Sequence, residues 1–452
     1  MSSVRRLPLV AALATALIAT GVASTLIKQT NPTSLPTGLD VASNAESTAL
    51  YCTGLSSAAG GLAGHVTFLN TTSAVRTLAV QVVSDAGKRA STSIRLAGHA
   101  ARSIQPDKLA QGNSFGVAAQ VDGGGVVAEE VTSDRGAEVP CTSSGVTSWY
   151  GSGFDSLVGS NAALSIYNPT ATPAVLDVTT FSSTGFVAPA PFQGLSVGAH
   201  AQVELNLGAQ IVNSSNIGVR VNVLRGSTVI VGVQRSGKVV SMDPGSTSVV
   251  TTAFFPRVTT VSGAEAQIRL ANPGARPADV TVDVKLSPYS VAPQTVTVAP
   301  FSSGVVVLTP NPAIPAAGYA TVQMTSSQPV IASLAAGTKS GLALSPAVAP
   351  AAKFLLADFA GKGFDAATVT NTSSRTITVT FTTVPNEGQV SVSSSVRLAG
   401  NTTSDILGLF SGITTFSATT VLVTASRPLL LVTTTLPTTP KGVTVISPLD
   451  GG

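Results

Sequence analysis

A chain of 452 residues is too long for one ordinary hydrophobic core, so several domains are expected. Only 10% of the residues are charged, against roughly 25% in average soluble domains, so hydroxyls rather than ions cover much of the surface. The 25 basic and 21 acidic residues give a formal net charge of +4, read as spread along the chain, and no run of Lys and Arg interleaved with aromatics suggests nucleic-acid binding.

In chain order, the first feature is a basic head, Arg5-Arg6, followed by an uncharged run from Leu7 to Ile27. At about 1.5 Å per residue, that run is long enough to cross a bilayer. Arginines ahead of it favour a cytoplasmic N-terminus and place everything after Lys28 outside the membrane. Residues 1–28 are therefore expected to form an uncleaved signal-anchor helix, with 29–47 as a linker. A cleaved signal peptide, with the small residues Val22-Ala23-Ser24 as a processing site, is the alternative and implies a secreted protein.

The only two cysteines, Cys52 and Cys141, follow the linker. In an exported chain they are expected to form one disulfide, closing a loop of about 90 residues and stabilising it by roughly 4 kcal/mol in the chain-entropy model. Two unpaired thiols, or a redox couple, are the alternatives, although zinc and redox motifs use much shorter spacings.

Four segments then align: HVTFLNTTSAVRTLAVQV from His65, LSIYNPTATPAVLDVTTF from Leu164, QIRLANPGARPADVTVDV from Gln267 and ATVTNTSSRTITVTFTTV from Ala367. Their common markers are Asn70, Asn168, Asn272 and Asn371. Two positions before each Asn stands Phe68, Ile166, Leu270 or Val369, and ten positions after it Val80, Val178, Val282 or Phe381. Apolar residues at every second position mark half-buried strands, so each segment reads as strand, hairpin-like turn, strand. The Asn suits a turn because its side chain can bond the backbone two residues on.

About seven short strands per repeat predict an all-β fold: four tandem Ig-like antiparallel β-sandwich domains after the N-terminal transmembrane helix. The expected spans are 48–145, which holds the disulfide, 146–247, 248–350 and 351–452. The short connections between them restrict the freedom of neighbouring domains. Tyr51, Trp149 with Tyr150, Phe254 with Phe255, and Phe354 open the four units.

The single-pass start and the repeats of the form LxIxNPTxxPAxVxV resemble the actinobacterial DUF5719 family of unknown function, most specifically in the second and third units. The first and fourth have Thr after the Asn and rest on periodicity. The resemblance implies exported Ig-like modules and a cell-envelope setting, and supplies no catalytic residue.

Candidate chemistry is sparse. His99, His200 and Asn401 occupy equivalent positions after a glycine or alanine, better suited to a turn than to a metal ligand, and His65 opens a strand without a companion. Glu129 and Glu130 are adjacent on a predicted strand and leave opposite faces, while Asp177 and Asp283 sit at outward-facing phase. Gly123-Gly124-Gly125 reads as a hairpin turn. Trp149, the only tryptophan, is a candidate sugar-stacking aromatic, although its place at a unit start favours packing at the seam between domains. The expectation is a non-enzymatic, membrane-anchored extracytoplasmic envelope protein without catalytic residue, metal or cofactor. Its expected partner is an envelope glycan or envelope protein, with a carbohydrate- or polymer-binding module as the alternative function.

Overall fold

The computed structural model describes residues 48–435 and 444–446, apart from 58–61, 99, 134–136, 238, 287–288, 317, 340, 349, 360–364, 385–392 and 406–418. The expected anchor and linker, and His99, lie outside the described residues. Among the described residues no helix is long and apolar enough to cross a membrane. The fold is all-β, with multiple antiparallel sheets and, among the described residues, one short α-helix at Pro106–Leu109 and one 3-10 turn at Ala190–Phe192.

Among the described residues, strand pairing falls into four blocks along the chain. In the first, Ala49–Ser56, Ser114–Val121, Arg76–Ser84 and Arg89–Leu96 form one sheet in that order. The facing sheet runs Ala101–Ile104, Gly64–Asn70, Val126–Thr132, Glu138–Pro140. Alternation decides which residues meet between them: Phe68 from one sheet, and Leu78, Val80 and Val117 from the other, are fully buried in one core. Along one side the two sheet edges are joined by the Cys52–Cys141 disulfide and by mutual backbone hydrogen bonds between Tyr51 and Thr142. On the other side, Arg89–Leu96 and Ala101–Ile104 are the free edges.

The second block repeats this plan. Ala201–Asn206, Ser160–Asn168, Val229–Ser236 and Val239–Asp243 face a sheet of Gly185–Val187, Ala174–Ser182, Ile217–Arg225 and Ser148–Phe154, with Leu195–Val197 also paired to Ala174–Ser182. In the third block a single 20-residue strand, Tyr319–Thr338, pairs with Val250–Thr259 and Ala278–Leu286 through its first half and with Ala264–Asn272 and Gly341–Pro346 through its second. Thr419–Thr435 does the same in the fourth.

The corresponding crossing in the first block is broken at Gly123, Gly124 and Gly125, all at positive φ, and in the second at Gly226, φ 81°. That left-handed backbone, which glycine adopts without a Cβ penalty, ends one strand before the next begins in the opposite sheet. The glycine run is thus a sheet-to-sheet crossover. The hairpin expected from the sequence is incorrect, because the strands on either side of it do not pair with each other.

Candidate functional site

The same correction applies to the four asparagines. Ser160–Asn168 and Ala174–Ser182 lie in different sheets, as do the strands flanking Asn70, Asn272 and Asn371, so each Asn turns an arch across the core. Each side chain is fully buried. Asn168 Nδ2 donates to the carbonyls of Thr172, Val197 and Gly198, and its Oδ1 accepts the Thr170 N–H and hydroxyl. Asn70, Asn272 and Asn371 each donate to the carbonyl four residues on and to one or two later carbonyls, and accept the N–H two residues on. A buried amide saturated in this way clamps the arch to a distant loop. In that loop, His200, Phe301 and Asn401 share a positive φ of 48°, 53° and 56°. His200 is therefore a turn residue.

Trp149 is only 2% exposed, and its indole N–H donates to the Pro244 carbonyl at 2.7 Å. Its ring lies 6.3 Å from that of Phe154, against Gly151, Gly232 and Gly245, all within the second block. It cannot stack on a ligand: a bulge between Gly151 and Phe154 shifts the strand phase, so both rings turn into the core of the second block. Asp177 is half-buried and accepts the Gly194 N–H, and Asp283 is half-buried on Ala278–Leu286. Among the described residues, no group of three or more His, Cys, Asp or Glu could hold a metal ion.

Polar chemistry concentrates instead where successive blocks meet. Between the first and second, Thr53 Oγ1 shares a 2.7 Å hydrogen bond with Ser165 Oγ and donates to Gln202 Oε1, whose amide donates back to Ser165. All three residues are buried. Beside them, the Tyr167 ring packs with Val83 and Val229 and lies so close to Gly116 that any side chain there would collide with it. Burial pushes the Tyr167 hydroxyl up to about 12.

Glu130 also belongs to this junction. It is 1% exposed, and a Cβ built on Gly54 would meet Glu130 Oε2, Met242 Sδ and Val231 Cγ1 together, so its carboxyl sits among apolar groups of both blocks. Burial raises its pKa to about 8, and the N–H groups of Leu55 and Thr53 offset only part of that shift. Neither carboxyl oxygen completes a hydrogen bond of good geometry. Asp243, on Val239–Asp243, is likewise raised to about 6 by burial, opposed by the Gly245 N–H.

Between the second and third blocks, Arg269 Nη1 donates to the Gly153 carbonyl at 2.6 Å and Nε to Gln267 Oε1. Burial lowers its pKa, and nearby Asp155 counteracts this. Ser152 and Ser333 hydroxyls share a 2.7 Å hydrogen bond, and Ser333 also donates to the Ser152 carbonyl. At the rim of this seam the exposed rings of Phe186 and Phe301 lie 5.5 Å apart. Between the third and fourth blocks the Thr321, Thr370 and Thr403 hydroxyls form a closed triangle with edges of 2.8–3.2 Å. Sequence reading did not assign these residues to seams, because their partners in the neighbouring block lie about 50 to 180 positions away.

A family model described as a family of unknown function, DUF5719, matches residues 137–407. No curated protein matches the chain. Among solved structures, a tetra-tandem repeat from the extending region of a large adhesion protein is 13% identical, covers 89% of this chain and 99% of its own, and has a TM-score of 0.11. An exo-chitosanase, CsxA, from Amycolatopsis orientalis is 11% identical over 48% of this chain and 26% of its own, with a TM-score of 0.12. Neither similarity bears on function at those scores.

Proposed function

Because the chain belongs to the DUF5719 family of unknown function, we propose its role from its own build: a non-enzymatic spacer and interaction array of the bacterial cell envelope. Four Ig-like sandwich domains over 48–145, 146–247, 248–350 and 351–452 follow a membrane anchor at 1–28. The disulfide supports an extracytoplasmic location, since such bonds persist in oxidising compartments. The observation that carries the reading is that each junction is tied by buried polar groups from both sides: Thr53 with Ser165 and Gln202, Arg269 with Gly153, and Thr321 with Thr370. A protein that holds a fixed spacing needs such ties; independent modules on flexible linkers do not.

The test is cell fractionation of the full chain and of a variant lacking 1–28, with mass spectrometry of the mature N-terminus. Recovery of intact full-length chain in the membrane fraction, and release on deletion, supports the anchored array. A mature N-terminus created by cleavage near Val22-Ala23-Ser24, with the chain in the soluble fraction, contradicts the anchor. Hydrolysis of cell-wall polymer by the purified chain contradicts the non-enzymatic role. A second reading, an envelope-polymer-binding module, is favoured by the exposed Phe186–Phe301 pair, since aromatic faces at a seam offer a stacking surface for sugar rings.

A further inference from the structure

Charge is distributed unevenly in the folded first block. Residues 88–108 contain Lys88, Arg89, Arg95, Arg102 and Lys108 against a single carboxylate, Asp107, so this stretch alone carries the same +4 as the whole chain. In sequence these cations stand several residues apart and look dispersed. The fold changes that, because Arg89–Leu96 is the edge of one sheet, Ala101–Ile104 is the edge of the other, and the two edges are neighbours on the side opposite the disulfide. Arg95 and Arg102 are exposed on these strands. Arg89 reaches the Ala199 carbonyl of the second block. The acidic residues Glu129, Glu130 and Glu138 lie on the two strands of the second sheet farthest from this edge.

An open groove of about 520 Å³ runs along this side. Its wall includes His65, Thr92, Ser103, Gln105 and Lys108, drawn from three strands and the short helix. The Lys108 side chain is 72% exposed, and its ammonium lies 3.8 Å from Asp107, a weak surface pairing that leaves its charge available to solvent. Hydroxyl and amide groups beside cations match a ligand that carries both sugar hydroxyls and negative charge. Among the described residues no Phe, Tyr or Trp lines the groove, which disfavours the stacking platform of several aromatic rings on which single-stranded nucleic-acid sites rely. An open groove also suits a polymer better than a small molecule, which is normally enclosed.

We infer that the open edge of the first block is a binding site for an acidic polysaccharide bearing carboxylate or phosphate groups, with Lys108 in the groove wall and exposed Arg102 on the adjoining edge strand meeting the charges, and Thr92, Ser103 and Gln105 meeting the hydroxyls. The inference rests on the polymer-binding reading, yet the site is distinct from the Phe186–Phe301 surface, so the two can fail separately. The test is binding of the full chain, purified in mild detergent, to immobilised polygalacturonate and poly(glycerol phosphate), with neutral dextran and duplex DNA alongside. Binding to at least one acidic polymer is expected, and it weakens roughly tenfold as salt rises from about 50 to about 200 mM, as screened surface charges require. The double variant Arg102→Gln/Lys108→Gln loses roughly tenfold in affinity at unchanged melting temperature, because both side chains are exposed. Phe186→Ala leaves acidic-polymer binding intact. Retention of dextran binding that Phe186→Ala abolishes, with no acidic-polymer binding, overturns this site while sparing the polymer-binding reading. Equal affinity for duplex DNA, or undiminished acidic-polymer binding by the double variant, also overturns it.

Discussion

The first two junctions bury ionisable groups in opposite ways. At the junction of the first and second blocks, Glu130 is enclosed by Val231, Met242 and Gly54 without a completed hydrogen bond. At the next, the Arg269 guanidinium is bonded to the Gly153 carbonyl and has Asp155 nearby. A carboxyl can lose its charge by taking up a proton, whereas a guanidinium cannot be deprotonated in practice and must be partnered. One junction is therefore held by a neutral acid and responds to pH; the other is held by a permanent cation and responds to the loss of its acceptor.

The largest expected effect breaks the second junction. Arg269→Met removes the charged donor and leaves the buried Gly153 carbonyl without its partner, at an expected cost of about 3–4 kcal/mol. Calorimetry should show the adjoining blocks melting earlier.

Glu130→Gln should do the reverse at the first junction. Glu130 stays protonated in the folded protein up to about pH 8, whereas its ordinary value is 4.5. Its contribution is fully present below pH 4.5 and falls as pH rises towards 8, because the folded state then binds more protons than the unfolded one. Asp243 acts in the same direction between pH 3.8 and about 6. Replacing Glu130 with Gln is expected to stabilise the protein by about 3 kcal/mol at pH 8, to change little at pH 4, and to flatten the melting temperature between those limits.

Asn168→Ala weakens the block that both junctions share. It leaves the Thr172, Val197 and Gly198 carbonyls without their donor, at an expected cost of about 2–3 kcal/mol, seen as an earlier transition of the second block at every pH. The smallest effect is that of Thr53→Val, which removes one hydroxyl from the Ser165–Gln202 cluster at a cost of about 1 kcal/mol and confines the loss to the first junction.

Much of the local structure was legible in the sequence because period-2 alternation fixes which side chains face inward. Phe68, Ile166, Leu270 and Val369 are all fully buried. The asparagine was recognisable as a turn residue, but whether it turned a hairpin or an arch depended on which sheet received the next strand, and that is decided by pairings far along the chain. Glu130 shows the same limit. Alternation separates it from Glu129, but it cannot reveal that the face Glu130 occupies abuts Val231 and Met242, roughly 100 residues later. Trp149 misled because an aromatic at the start of a repeat has the same sequence appearance whether it sits at a boundary or inside a core. The cations of residues 88–108 appeared dispersed because their grouping requires two sheet edges to lie side by side.

The central claim is that buried ties fix the spacing of the blocks. It is tested most directly by measuring the distance distribution between spin labels at Ser91→Cys in the first block and Thr295→Cys in the third, both exposed positions, with the Cys52–Cys141 disulfide intact. A single narrow distribution that broadens in Arg269→Met is the predicted result; a broad distribution in the otherwise unaltered chain, unchanged by Arg269→Met, would contradict the account.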